Sequence, residues 1–173
     1  MNSPTLPGRL SVSASLAEMQ RPIDWSQVFL GGLLIAAGDI AFATTVWFSW
    51  DVAGLIRVFQ SIAVGVLGKA SLEGGVPAAL LGAVLHVFMA TMFVVACTLV
   101  ARRVPALLRK PYVYGPPYGV LLYIIMNFVV MPLSRVGASP SFKHLDTIAM
   151  SVVAHMVFGT ICMLFARRAL RHA

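Results

Sequence analysis

Asp39, His86, Asn127 and His155 stand as isolated strongly polar side chains inside the longest apolar runs of the chain. Their types suggest specific chemistry. Carboxylates and imidazoles are the groups best suited to pass a proton near neutral pH. Out of water a carboxyl group holds its proton more tightly and an imidazole less tightly, so the two affinities converge. A proton- or cation-linked site is therefore one reading. A purely structural polar layer is another, because His and Asn also hydrogen-bond across helices and fix their packing. A third uses His86 and His155 as axial ligands of a b-type haem, with Gly82 and Gly159 one turn away leaving room for the macrocycle. A fourth gathers Asp39, His86 and His155 around a zinc-like ion with one open position. No compact ligand motif supports the metal, and the residues by themselves require no cofactor.

The elements that must position these groups are membrane spans. The chain has 173 residues, 59% hydrophobic and 11% charged, against about 45–50% apolar and about 25% charged in soluble domains. Four runs are long enough to cross about 30 Å of hydrocarbon as helices. They cover about 25–50, 76–100, 117–133 and 147–166. Each polar residue lies within a few positions of the middle of its run. At about 1.5 Å per residue they would share one layer near the midplane. Each run also carries a stripe of small and polar residues at helical spacing: Gly32, Ala36, Asp39 and Ala43 in the first; Gly75, Ala79, Gly82, His86 and Ala90 in the second; Gly119, Tyr123 and Asn127 in the third; Ser151, His155, Gly159 and Cys162 in the fourth. Such faces belong inside a bundle. Cys97 and Cys162 read as small apolar fillers.

The expected fold is an all-α membrane protein: a four-transmembrane-helix bundle over residues 25–168, with a flexible cytoplasmic tail at 1–24 and a short basic tail at 169–173. The tail at 1–24 lacks the apolar core of a secretory signal. Trp and Tyr residues cluster at the span ends, where aromatics favour the interface. Pro116 and Pro117 suggest the start of the third span, and Pro132 bends or ends it.

Basic residues set the orientation. Arg9 and Arg21, the cluster Arg102, Arg103, Arg109 and Lys110, and Arg167, Arg168 and Arg171 fall on one side. Arg57, Lys69, Arg135 and Lys143 fall on the other. The positive-inside rule then places both termini in the cytoplasm. The formal net charge of +7 suits anionic lipid headgroups rather than nucleic acid, because the cations flank apolar runs. Residues 51–75 are apolar, but Arg57, Gln60 and Lys69 make a fifth span costly. A short amphipathic periplasmic helix, with Arg57 and Gln60 on its polar face, fits better and ends at Gly74-Gly75.

Catalytic signatures are missing. There is no Gly-rich phosphate loop, no Ser-His-Asp arrangement with an elbow and no catalytic carboxylate pair. The motifs Gly38-Asp39-Ile40, Phe59 to Gly68, Gly74-Gly75, Leu80-Leu81-Gly82 with His86, Tyr118-Gly119 with Met126-Asn127, and Met131-Pro132-Leu133-Ser134 occur in an order that resembles a family of small uncharacterised bacterial inner-membrane proteins, distantly similar to YagU-like proteins. The resemblance covers about residues 27–168. It implies four spans and a periplasmic helix, and it carries neither a substrate nor a catalytic residue. The functional expectation is a non-enzymatic carrier or channel subunit linked to protons. The alternatives are a structural or interaction protein, or a haem- or metal-binding redox protein. Four helices enclose little space, so a carrier would need a second copy, as a homodimer.

Overall fold

A computed structural model describes residues 22–137 and 145–171. The tail expected over 1–24 falls outside them except for its last three residues. Lys143 and the last two residues of the basic tail fall outside as well.

The described chain is helical throughout its ordered elements. α1 (Trp25–Trp47) begins at Asp24, whose carboxylate accepts from the Ser26 and Gln27 amides at 3.0 and 3.4 Å. This satisfies donors that a helix start leaves without intrahelical partners. Asp51 does the same for α2 (Val52–Leu67), accepting from the Gly54 amide at 2.6 Å. α2 closes at Gly68, whose φ of 73° favours glycine. A 3₁₀ turn (Lys69–Glu73) leads into α3 (Gly75–Arg103), and a second (Pro105–Arg109) into α4 (Pro111–Leu133). α5 (Leu145–Arg171) completes the bundle.

α1, α3, α4 and α5 are each long and apolar enough to cross a membrane, and α2 is a shorter apolar helix between the first two of them. The shortest of the four have 23 residues and reach about 35 Å, longer than the hydrocarbon core. Large apolar side chains such as Phe29, Leu33, Val84, Phe88, Leu121 and Val153 point outward. Water penalises that arrangement and lipid does not. This is a multi-pass membrane protein with the expected four-span architecture.

α4 starts earlier than expected and ends where expected, through a π turn. It starts at Pro111, which takes the first-turn position where no N–H is needed. Pro116 and Pro117 lie in the interior. Near the other end the bond register widens to a π turn over Met126–Val130, with the Met131 amide bonding to the Met126 carbonyl. Pro132 has no N–H to give, and its ring would crowd the carbonyl four residues back. The wider turn relieves that crowding, and the helix stops at Leu133.

α1, α3 and α5 pack on one another, while α4 packs chiefly on α5. The α4–α5 contact is made by backbone. A Cβ on Gly159 would overlap the Gly115 carbonyl and the Gly119 amide, and one on Gly119 would overlap the His155 carbonyl. Glycines four apart on α4 therefore face a glycine on α5, the small-residue packing that helices use in lipid. The core between the spans holds Val28, Ile35, Val94, Cys97, Cys162 and Met163. Both cysteines are buried and unbridged.

α2 is a crossbar. It leaves the end of α1 and lays its Phe59 carbonyl on α3 where Gly82 has no side chain. It reaches the end of α4, where the Arg135 amide donates to the Gly65 carbonyl at 3.0 Å. The bundle thus has an α2 end and an opposite, basic end. At the basic end the Asp24 amide donates to the Ala169 carbonyl at 3.0 Å, tying the start of α1 to the last turn of α5.

Candidate functional site: a polar layer on the α2 side of the bundle

The four polar residues do share a layer, displaced from the helix midpoints. Asp39, His86 and His155 sit about 4.5 Å, and Asn127 about 7.5 Å, from the centres of their helices, all toward the α2 end. The displacement follows from helix length: α3, α4 and α5 run further toward the basic end than the apolar runs alone suggest, and α1 stops three residues short at the α2 end.

His86, half-buried on α3, places Nε2 3.1 Å from the Ala36 carbonyl of α1 and 3.7 Å from Asp39 Oδ2. A carbonyl only accepts, so Nε2–H donates to it and Nδ1 is the basic nitrogen of the neutral ring. Asp39 is one turn from Ala36, so it stands beside this bond and becomes an ion-pair partner once His86 is protonated. The Asp39 side chain remains 35% exposed against 14% for His86.

Asp39, Asn127 and His155 line one cleft of about 280 Å³. It lies between α1 and α4, with α5 as its floor, and Tyr123, Ser151 and Trp47 complete the polar and aromatic part of its wall. His155 Nδ1–H donates to the Ser151 carbonyl at 2.8 Å, which leaves Nε2 as its basic nitrogen. The ring is held edge-on by Tyr123 and Phe158, at centroid distances of 5.4 and 5.7 Å. Asn127 sits in the π turn and donates Nδ2 to the Tyr123 carbonyl at 3.0 Å. π turns of this kind recur at functional sites.

The four candidates therefore come together in two groups. Asp39, Asn127 and His155 share the cleft, and His86 meets Asp39 from the α3 side. Both Asn127 and His155 bond to their own helices and not across the bundle. Gly82 and Gly159, expected to make room for a macrocycle between His86 and His155, are filled by the backbones of α2 and α4. Among the described residues, no three His, Cys, Asp or Glu side chains gather as a metal site.

Two other expected groups divide. Arg57 is exposed on α2 and donates to the Leu72 carbonyl at 3.2 Å. Gln60, assigned with it to a polar face, is instead buried at 5% exposure. Its side-chain amide donates to the Gly75 carbonyl at 3.1 Å, and its backbone carbonyl accepts from Ser71 Oγ at 2.9 Å. It anchors the loop that folds back on α2. The Arg102, Arg103, Arg109 and Lys110 cluster lies at the basic end with Arg167, Arg168 and Arg171 of α5.

Sequence reasoning missed Gly115, which fell before the expected third span, and Tyr118, whose hydroxyl donates across to the Phe93 carbonyl of α3 at 2.7 Å. The Gly115–Gly119 spacing is the signal that could have found the first.

No protein-family model, curated protein or solved structure matches the chain.

Proposed function

We propose that this protein is a small bacterial inner-membrane carrier or channel subunit in which Asp39, His86 and His155 take up and release a proton. One observation carries the reading: an aspartate, an asparagine and a histidine from three different spans line a single cleft, and a second histidine stands 3.7 Å from the aspartate. An ionisable group within a span is costly and marks a pathway more often than a packing device. The local bonds of Asn127 and His155 support the same reading, since each side chain is hydrogen-bonded to its own helix and not to a neighbouring one. A proton on the cleft side would meet Asp39, and His86 would stabilise the ionised carboxylate from behind. Kinship with small four-span bacterial proteins, argued from motifs, belongs to the same proposal.

The basic end faces the cytoplasm in this reading. Arg102, Arg103, Arg109, Lys110, Arg167, Arg168 and Arg171 lie there, against Arg57, Lys69 and Arg135 at the α2 end. The cleft then opens in the periplasmic half, at the α2 end of the bundle. A second copy packed along α1 and α4 would enclose it.

The purely structural alternative rests on the bond from His86 to the Ala36 carbonyl, which does cross from α3 to α1. Reconstitution into phosphatidylcholine liposomes containing a pH-sensitive dye separates the two. Under an imposed potential the wild type is expected to acidify the lumen, and Asp39→Asn to fall to the rate of protein-free liposomes while unfolding at the wild-type temperature. Equal flux in wild type and Asp39→Asn, or none in either, leaves the layer as a packing device.

A further inference from the structure

The opposite end of the bundle holds a second cleft, of about 240 Å³, built by three elements. Arg102 comes from the last turn of α3, Arg109 from the 3₁₀ turn, and Arg167 and Arg171 from the last turns of α5. Its remaining wall is apolar, with Leu108 and Leu170 among the lining residues. Arg167 is half-buried, and its Nε is sealed from solvent without a hydrogen-bond partner among the described residues. A buried guanidinium donor without a partner is costly, and four like charges brought to one cleft repel one another.

Arginines in a last turn also complement the negative end of a helix. That role needs no ligand and explains Arg168 as well, which stacks over Phe165 outside the cleft at 5.0 Å. It does not explain why four guanidinium groups from three separate elements line the same space. A ligand with several acceptor oxygens and more than one negative charge does. Guanidinium forks match phosphate geometry with paired hydrogen bonds, and such a ligand would satisfy Arg167 Nε while relieving the repulsion.

We propose that Arg102, Arg109, Arg167 and Arg171 form a stoichiometric binding site for a phosphate monoester group. The apolar wall beside the guanidinium groups suits the glycerol end of a lipid. A soluble phosphate would use the same donors. The site differs from a diffuse headgroup belt because Arg103 and Lys110, equally basic and nearby in sequence, do not line it.

The experiment is a titration of the detergent-purified full chain, read by native mass spectrometry. The probes are dihexanoyl phosphatidic acid, dihexanoyl phosphatidylcholine and inorganic phosphate. One saturable phosphatidic acid per chain is expected, with no saturable phosphatidylcholine. Arg109→Gln/Arg171→Gln changes two exposed side chains and should weaken binding by at least about tenfold. Arg103→Gln/Lys110→Gln removes the same charge outside the cleft and should leave binding within about twofold. Arg167→Lys keeps the charge but loses the fork, and should weaken phosphatidic acid binding on its own. Inorganic phosphate that displaces the lipid at comparable concentration identifies a soluble phosphate as the source; failure to displace it identifies a headgroup. Equal losses in the two double variants, or no saturable binding of either phosphate probe, would overturn the proposal.

Discussion

The two sides of α4 are built on opposite plans. Against α5, through Gly115 and Gly119, its backbone touches that of the partner helix, and any added Cβ overlaps main-chain atoms. Toward α1, beyond Tyr123, it carries Met126, Asn127 and Met131 into an open cleft and widens into a π turn before Pro132. Close packing leaves no volume for a ligand, and a packed interface changes little without breaking. Polar side chains around an open space can change protonation or partner without unfolding the bundle. The difference separates positions that hold the structure from positions free to do chemistry.

Gly159→Ala tests the packed side hardest. Its Cβ would meet the Gly115 carbonyl and the Gly119 backbone, neither of which can rotate away. A loss of at least about 2 kcal/mol is expected, read as a lower unfolding temperature in detergent. Asp39→Asn, on the open side, is expected to stay within about 0.5 kcal/mol of wild type. Comparable losses in the two would erase the distinction. Tyr118→Phe comes next. It removes the hydroxyl that bridges α4 to the Phe93 carbonyl, at about 1 kcal/mol. Gly65→Ala sharpens the contrast from the other direction. A Cβ there meets Ser134 only at ordinary contact distance, 3.7 Å, so helix propensity decides and α2 gains about 0.5–1 kcal/mol.

Much of this plan can be read from the residues alone. Lipid leaves a spanning segment no alternative to a helix, so four apolar runs are enough to define four spans. The charges on Arg57 and Lys69 are enough to keep α2 from being a fifth. The polar layer is legible too, because Asp39, His86, Asn127 and His155 interrupt runs that otherwise carry nothing comparable. What the pattern leaves open is which neighbour each group takes. A histidine at helical spacing can bond across the bundle, as His86 does to Ala36, or back along its own helix, as His155 does to Ser151. Periodicity is the same in both cases. Gln60 shows the same limit: its place among polar residues on α2 suggested exposure, but a side-chain amide that donates to a backbone carbonyl can be buried. The π turn is hidden because a proline announces a break without saying how the preceding turn adjusts.

The smallest effect concerns the cap that starts the crossbar after the first span. Asp51 lies outside the spans, fully exposed, and caps α2. The Gly54 amide, with the Ser49 hydroxyl next in weight, holds its carboxyl below the usual value of 3.8. A lowered value in the folded chain means that the ionised cap contributes stability fully above the unfolded value and loses it as pH falls through the folded one. The docking of α2 should therefore be constant at neutral pH and loosen below about pH 4. Asp51→Asn keeps an acceptor without a titrating group, so its α2 should show no such transition. Amide hydrogen exchange across residues 52–67, followed from pH 6 down to pH 3 after correction for intrinsic rates, reads it directly. A matching loss of protection in both proteins would place the acid-sensitive contact elsewhere. The crossbar would then be held on the bundle by its Gly82 and Gly65 contacts, with the cap contributing nothing measurable.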